Sequence, residues 1–262
     1  MRVVGYIDGM NFYEASKYKH WYPAGWCNWT ETIGVYCPGA AVSVKYFTSL
    51  YTGTDQKIVR RQKLHLLAMK EVAKARIFEG SCRQRPLKCP RCDEKLRCVC
   101  GCTKRTDEKM TDVNIAVQLL GDAIDGLFER AYLVSSDVDL VPAVWAALAR
   151  APKSQIHVLL PPETVMVEEF ANLKRDYPDR SKSEYLDLGK MRRFPDDLPR
   201  RWNMRLPEHW KKESGKRPDN PEHPPRPERV ASWAEESRGY GARDTALAPS
   251  KASARPGVRT KK

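Results

Sequence analysis

At 262 residues, with 41% hydrophobic and 30% charged residues and a formal charge of +13, the chain is long enough for one sizeable core and is strongly basic. No apolar run approaches the ~20 residues of a membrane-spanning helix, and Met1 to Asp8 is too short and ends too acidic for a signal peptide, so a cytoplasmic protein off the membrane is expected. The charge is uneven: residues 82–105 carry eight Lys/Arg against two acids and 211–262 carry thirteen against seven, which suits a polyanion such as nucleic acid gripped by appendages around a near-neutral body.

The chain opens with a β-branched strand, Arg2 to Ile7, that stops at Asp8-Gly9-Met10-Asn11 before a helical pattern through Phe12 and Ala15. From Trp21 to Gly39 there is no clean period, and an irregular excursion is expected whose aromatics pack into the core. A strand at Val42–Tyr51, a helix at Asp55–Ala75 and a strand at Ala75–Glu79 lead to the cysteine-rich insert. After it, Val113, Val117, Leu120 and Ile124 mark the core face of a helix with Thr111 as its N-cap. Tyr132–Val134 reads as a buried strand ending on Ser135, Ser136, Asp137 and Asp139. Val141, Val144, Trp145 and Leu148 follow at helical spacing, with Pro142 tolerable in the first turn. A strand at Gln155–Leu160, a helix near Thr164–Leu173 and a short strand at Glu184–Leu188 complete an α/β alternation. It implies a mostly parallel sheet with helices on both faces. The expected layout is a domain over 1–190, an extended Pro/Trp-containing arm over 191–210 and a disordered basic tail over 211–262.

Asp8, Asp112, Asp137 and Asp139 can meet at one edge of such a sheet. Carboxylates gathered so closely raise one another's pKa unless a cation neutralises them, which points to a hard divalent ion, Mg²⁺ or Mn²⁺. A divalent ion beside basic flanks suits phosphodiester hydrolysis, with Asn11, Thr111, Ser135 and Ser136 placed to orient a phosphate or water, or merely to cap and turn. A nicotinamide enzyme is disfavoured, because Asp8-Gly-Met-Asn11 lacks the Gly-rich turn that a pyrophosphate needs.

Three ordered stretches carry a resemblance: Tyr6-Ile-Asp8-Gly-Met-Asn11, Glu108-Lys-Met-Thr-Asp112-Val-Asn-Ile-Ala, and Val134-Ser-Ser-Asp137-Val-Asp139-Leu-Val-Pro. They resemble the NYN domain, a family of PIN-like ribonucleases, over about Met1 to Leu188. The resemblance implies a Rossmann-like PIN fold and a Mg²⁺/Mn²⁺-dependent nuclease acting on RNA. Its catalytic acids would be Asp8, Asp112, Asp137 and Asp139, with Asn11 beside them. Ser136 stands where the family usually has a small Gly or Ala, and Leu140 where it usually has Phe; neither change removes a carboxylate.

Six of the eight cysteines lie between Cys82 and Cys102. Cys89-Pro-Arg-Cys92 can present two thiolates to one ion, and Cys98-Val-Cys100-Gly-Cys102 can supply two more, so a structural Zn²⁺ held by Cys89, Cys92, Cys98 and Cys102 is expected, with Cys82 and Cys100 as alternates. The five histidines are scattered and none is assigned. Two further functions stay open: an RNA-binding or scaffold protein that keeps the fold without the activity, and a phosphatase on small phosphoesters.

Overall fold

The computed structural model describes residues 1–18, 26–53, 56–89, 91–96, 103–162 and 164–195. The chain divides into two units, Met1–Asn220 and Pro221–Lys262, and every described residue belongs to the first. Strand β1 (Arg2–Asp8) leads into α1 (Gly9–Tyr18) and then α2 (Trp29–Tyr36). Next come β2 (Ala41–Ser49), α3 (Gln56–Glu71), β3 (Arg76–Pro86), β4 (Lys104–Lys109) and α4 (Thr111–Ile124). The last third holds β5 (Arg130–Val134), α5 (Val141–Arg150), β6 (Gln155–Leu160), α6 (Glu168–Asp176) and β7 (Ser181–Tyr185).

The seven strands lie in the order β4-β3-β2-β1-β5-β6-β7, all parallel except β4, which runs antiparallel to β3. Period-2 alternation divides each central strand between two cores. Val3 and Ile7 of β1, with Tyr132 and Val134 of β5, face Phe12, Trp26, Trp29 and Met69. Val4 and Tyr6, with Ala131 and Leu133, face Ile115, Leu119, Val144, Leu148 and Phe170. Helices α1–α3 therefore cover one face and α4–α6 the other, which is why the central strands read as unbroken apolar runs. Each fully buried side chain of Ile7 or Leu133 size stabilises the fold by about 2 kcal/mol.

Several expectations are corrected. The stretch expected to be irregular contains α2, begun by a reciprocal cap in which Asn28 Oδ1 accepts from Glu31 N (3.3 Å) and Asn28 Nδ2 donates to Glu31 Oε1 (2.8 Å). Of its described aromatics, Trp26 and Trp29 are fully buried in the core and Tyr36 is half-buried; Trp21 and Tyr22 lie outside the described residues. The strand expected at 75–79 runs on to Pro86, and Lys104–Lys109 pairs back along Ser81–Pro86. Since β2 pairs with β3 only as far as Gly80, these two strands form a ribbon past the edge of β2. Its described side chains are half-buried or exposed and mostly polar or charged, so no apolar alternation announced it. Helix α6 begins later and β7 earlier than expected, because β7 is a polar edge strand with a Lys182–Glu184 ion pair.

The face of α4 is also corrected. Thr111, Ile115, Leu119, Asp122 and Ala123 are buried, whereas Val113, Val117 and Ile124 are exposed and Leu120 is half-covered; Trp145 of α5 is exposed too. α4 is apolar on two opposite faces, so periodicity could not choose between them. The choice is made by a polar network: Lys45 Nζ lies 2.6 Å from Asp122 Oδ2 and donates to Gln118 Oε1 (2.7 Å), while the Tyr6 hydroxyl donates to Asp122. That network pins α4 to β1 and β2.

Of the expected arm, residues 191–195 run along α2: Asn28 N donates to Arg192 O (2.8 Å), Phe194 N donates to Trp26 O (3.0 Å), and the Phe194 ring packs 5.3 Å from that of Trp26. Residues 196–210 and the tail lie outside the described residues. Among the described residues no helix is long and apolar enough to cross a membrane.

Candidate acidic site at the edge of the sheet

The chain builds outward from β1 through β2 to β3, then returns to the opposite side of β1 and builds outward again through β5, β6 and β7. The direction reverses between β1 and β5, and a crevice opens there beyond the carboxyl ends of the strands. Asp8 is the last residue of β1. Gly9 follows it because a Cβ there would lie 2.8 Å from Phe47 O and 2.5 Å from the Tyr46 ring, leaving no room for a side chain as α1 departs.

Asp8 is 2% exposed. Its Oδ1 accepts from Asn11 N (3.0 Å) and its Oδ2 from Ser135 Oγ (2.9 Å). Burial nevertheless pushes its carboxyl up to about 7, with further upward pressure from Asp112 and Glu108 that these hydrogen bonds only partly offset. Asn11 Oδ1 accepts from both Ser136 N and Ser136 Oγ at 3.0 Å, tying α1 to the loop after β5. Ser135 Oγ accepts from Asp137 N (3.0 Å), and Asp137 Oδ1 accepts from Asp139 N (2.9 Å), capping the 3-10 turn Val138–Leu140. One hydrogen-bonded chain thus fixes Asp8, Asn11, Ser135, Ser136 and Asp137 relative to one another.

The opposite wall comes from the ribbon and α4. Thr111 is not the N-cap; Met110 is, at φ 81°, a left-handed conformation that disfavours a side chain. The Thr111 hydroxyl instead donates to Glu108 Oε1 at 2.5 Å and lies 3.3 Å from Ser49 Oγ. Gly80 allows this approach, since a Cβ there would meet Thr111 Oγ1, Ser49 Oγ and Lys109 O at 2.5–2.7 Å. The Asp112 carboxyl is raised by partial burial and then by Asp137, Glu108 and Asp139, with Lys109 opposing.

Asp8, Asn11, Asp112 and Asp137 line one cleft of about 530 Å³, together with Met10, Ala15, Ser136, Thr164 and two acids that sequence reasoning left out, Glu14 and Glu108. Glu14 lies one helical turn after Asn11, a spacing that could have revealed it. Glu108 stood within a motif but looked like part of a charged insert until its strand pairing placed it. The Asp139 carboxylate is exposed outside the lining; it acts on the site through its field on Asp112, while its backbone N–H donates to Asp137. None of the described lining side chains is basic. The donor set is all oxygen and anionic, which fits Mg²⁺ or Mn²⁺. Among the described residues no three acids converge into a ready-made coordination shell, so the walls would hold a partly hydrated ion.

Of the expected zinc ligands, Cys89 and Cys92 lie in a tight turn beyond the ribbon, where Cys89 N donates to Glu94 O and Asp93 N to Cys89 O. The Cys89 sulfur accepts backbone N–H groups from Cys92 and Arg91, which hold its thiol below the usual range. Cys98, Cys100 and Cys102 lie outside the described residues. Cys82 sits within β3 opposite Glu108, four residues before the strand ends, and is not brought together with Cys89 and Cys92. Cys27 and Cys37 are buried in the core.

No family model matches the chain, and no curated protein matches it. Among solved structures it is similar to the crystal structure of a protein of unknown function from Vibrio parahaemolyticus, with 19% identity, 73% of this chain and 96% of that chain covered, and a TM-score of 0.43.

Proposed function

We propose that the chain is a Mg²⁺/Mn²⁺-dependent endoribonuclease with a PIN-like fold of NYN type. The observation that carries this reading is the cleft at the switch point of the sheet, where Asp8, Glu108, Asp112 and Asp137 face one space with no described basic side chain among them. An ion bound there supplies Lewis-acid polarisation of a phosphoryl oxygen and an acidified water. Asp8, Glu108, Asp112 and Asp137 would hold it. Asn11 and Ser135 keep Asp8 aimed into the cleft, and Ser136 fixes Asn11. Arg83 and Arg85 are exposed on the same ribbon as Glu108 but on its opposite face, where Arg85 lies 3.5 Å from Asp107, so a phosphate they held would lie outside the cleft. RNA as the substrate rests on the resemblance of the three motifs.

The turn at Cys89–Cys92 supports a second, structural ion, Zn²⁺, completed by cysteines from 98–102. Two amides donating to one sulfur favour its thiolate, which is the form a soft metal takes.

The decisive experiment is cleavage of single-stranded and structured RNA with Mg²⁺ or Mn²⁺ by the wild type and by Asp137→Asn. The reading expects cleavage lost by at least about 100-fold in the variant, with RNA binding retained. Equal cleavage by both would remove the catalytic assignment. Binding without cleavage in the wild type would favour an RNA-binding scaffold, and turnover confined to a small phosphoester would favour a phosphatase.

A further inference from the structure

Helix α4 presents a second apolar face that the fold does not use. Its sheet-facing side is occupied by Ile115, Leu119 and Ala123. The opposite side carries Val113, Val117, Leu120 and Ile124 at successive steps of 4, 3 and 4, and beyond its ends lie the exposed N-cap Met110 and Leu127, the latter past the turn at Gly126. Val113, Val117 and Ile124 are 64%, 60% and 58% exposed, and Met110 and Leu127 are about as open. Alternating steps of three and four are the spacing by which two helices bury a shared seam. A helix apolar on both faces belongs in an interior.

We propose that this face is a self-association surface, on which α4 packs antiparallel against α4 of a second copy of the chain about a two-fold axis. The pattern within the helix is its own reverse: 113 with 124 and 117 with 120 are placed symmetrically about one midpoint. A two-fold operation therefore sets apolar residue against apolar residue along the whole seam. Antiparallel helices also align their dipoles favourably.

The surroundings of the seam favour a second copy over other occupants. The residues bordering the seam along its middle, Asn114, Ala116 and Gly121, are uncharged, so nothing repels an identical face and nothing recruits an acidic peptide or nucleic acid. Gly121 has open space where a side chain would be, which lets a second backbone come close. The rest of the chain offers no match: in 196–262 no three large apolar residues recur at spacings of three or four without a proline between them. The five open side chains on this face and at its ends expose roughly 500 Å². This is more than half of the ~800 Å² per partner of a standard interface, in the range of a weak dimer. The proposal does not depend on the nuclease reading. It would place the two copies' Asp112 residues at opposite ends of a seam roughly 20 Å long.

The test is the mass of the full chain in solution by sedimentation equilibrium from about 1 to about 100 µM. Twice the chain mass is expected. Val113→Glu and Ile124→Lys should each give the single-chain mass with unchanged circular dichroism, because both sites are exposed. An equimolar mixture of the two should return to twice the mass, since the antiparallel seam sets position 113 against position 124 and pairs the new charges. A wild type that is monomeric throughout, a double mass that survives Val113→Glu, or a mixture that stays monomeric would each overturn the proposal. Val117→Ser, milder at the centre of the seam, provides the check if a charged variant fails to fold: it should raise the dissociation constant by at least about tenfold.

Discussion

Asp8→Asn should stabilise the protein in the presence of a chelator while abolishing cleavage. The Asp8 carboxyl rises from 3.8 to about 7 on folding, so between those values the folded state binds more protons than the unfolded state. The contribution of Asp8 to stability is therefore greatest below about pH 4 and is lost as pH rises through 7. A shift of about three units corresponds to about 4 kcal/mol at pH 8. Asparagine removes that deficit, and its Oδ1 can still accept from Asn11 N. Its Nδ2 would face Ser135 Oγ, whose proton then loses its acceptor at a cost of about 1 kcal/mol. Discounted for relaxation around the site, a net gain of about 1–3 kcal/mol is expected at pH 8, or several degrees in Tm for a domain of this size, and none at pH 4. Urea and thermal unfolding with EDTA at pH 4, 6 and 8 measure this directly. Added Mn²⁺ should reverse the order, raising the wild type above the variant. A variant that melts below the wild type at pH 8 in EDTA, or a difference between the two that does not change with pH, would refute the electrostatic account.

Lys45→Met leaves Asp122 buried with the Tyr6 hydroxyl as its remaining direct partner and should cost about 3–5 kcal/mol; adding Asp122→Leu should recover most of it, as read by a double-mutant cycle of unfolding free energies. Gly80→Ala forces a Cβ to within 2.7 Å of Thr111, Ser49 and Lys109, so it should lose about 1–3 kcal/mol and reduce cleavage by displacing Asp112, measured by melting and RNA cleavage together. Changing Cys89 and Cys92 together to serine should remove about one zinc per chain in elemental analysis without unfolding the sheet, whereas Asp112→Asn should leave that zinc in place and remove Mn²⁺ binding.

What the sequence disclosed follows from which elements are covered on two sides. Strands β1, β5 and β6 lie between two helical layers, so their apolar runs are continuous and their ends, marked by Asp8 and by Ser135 to Asp137, are abrupt. The ribbon of β3 and β4 has no buried face beyond Gly80, and its alternation of Arg, Gln and Lys is indistinguishable from solvated charge until the pairing Cys82 to Glu108 is known. α4 misled for the opposite reason. It is apolar on both sides, and what selects its inner face is a buried carboxylate, Asp122, that hydropathy assigns to the solvent.

Lys74 and Asp93 hold left-handed conformations elsewhere, but several of the local rules that this chain breaks meet at one crevice. Asp8 is a buried carboxylate whose hydrogen-bond partners, Asn11 N and Ser135 Oγ, are both uncharged. Gly9 and Gly80 permit backbone approaches that no other residue would allow, and Met110 holds a left-handed conformation that costs about 1–2 kcal/mol in an L-residue. Together with the desolvation of Asp8 these terms reach several kcal/mol, a sizeable share of the 5–15 kcal/mol by which a domain is ordinarily stable. They persist because the surroundings over-determine them: the Lys45–Asp122–Tyr6 network clamps α4 to the sheet three turns below Asp112, and Asn11 locks α1 to the loop after β5. A loop that merely turned the chain would need neither the buried acid nor the left-handed Met110. Their coincidence with Glu108, Asp112 and Asp137 in one cleft is the physical ground for treating the crevice as a working site.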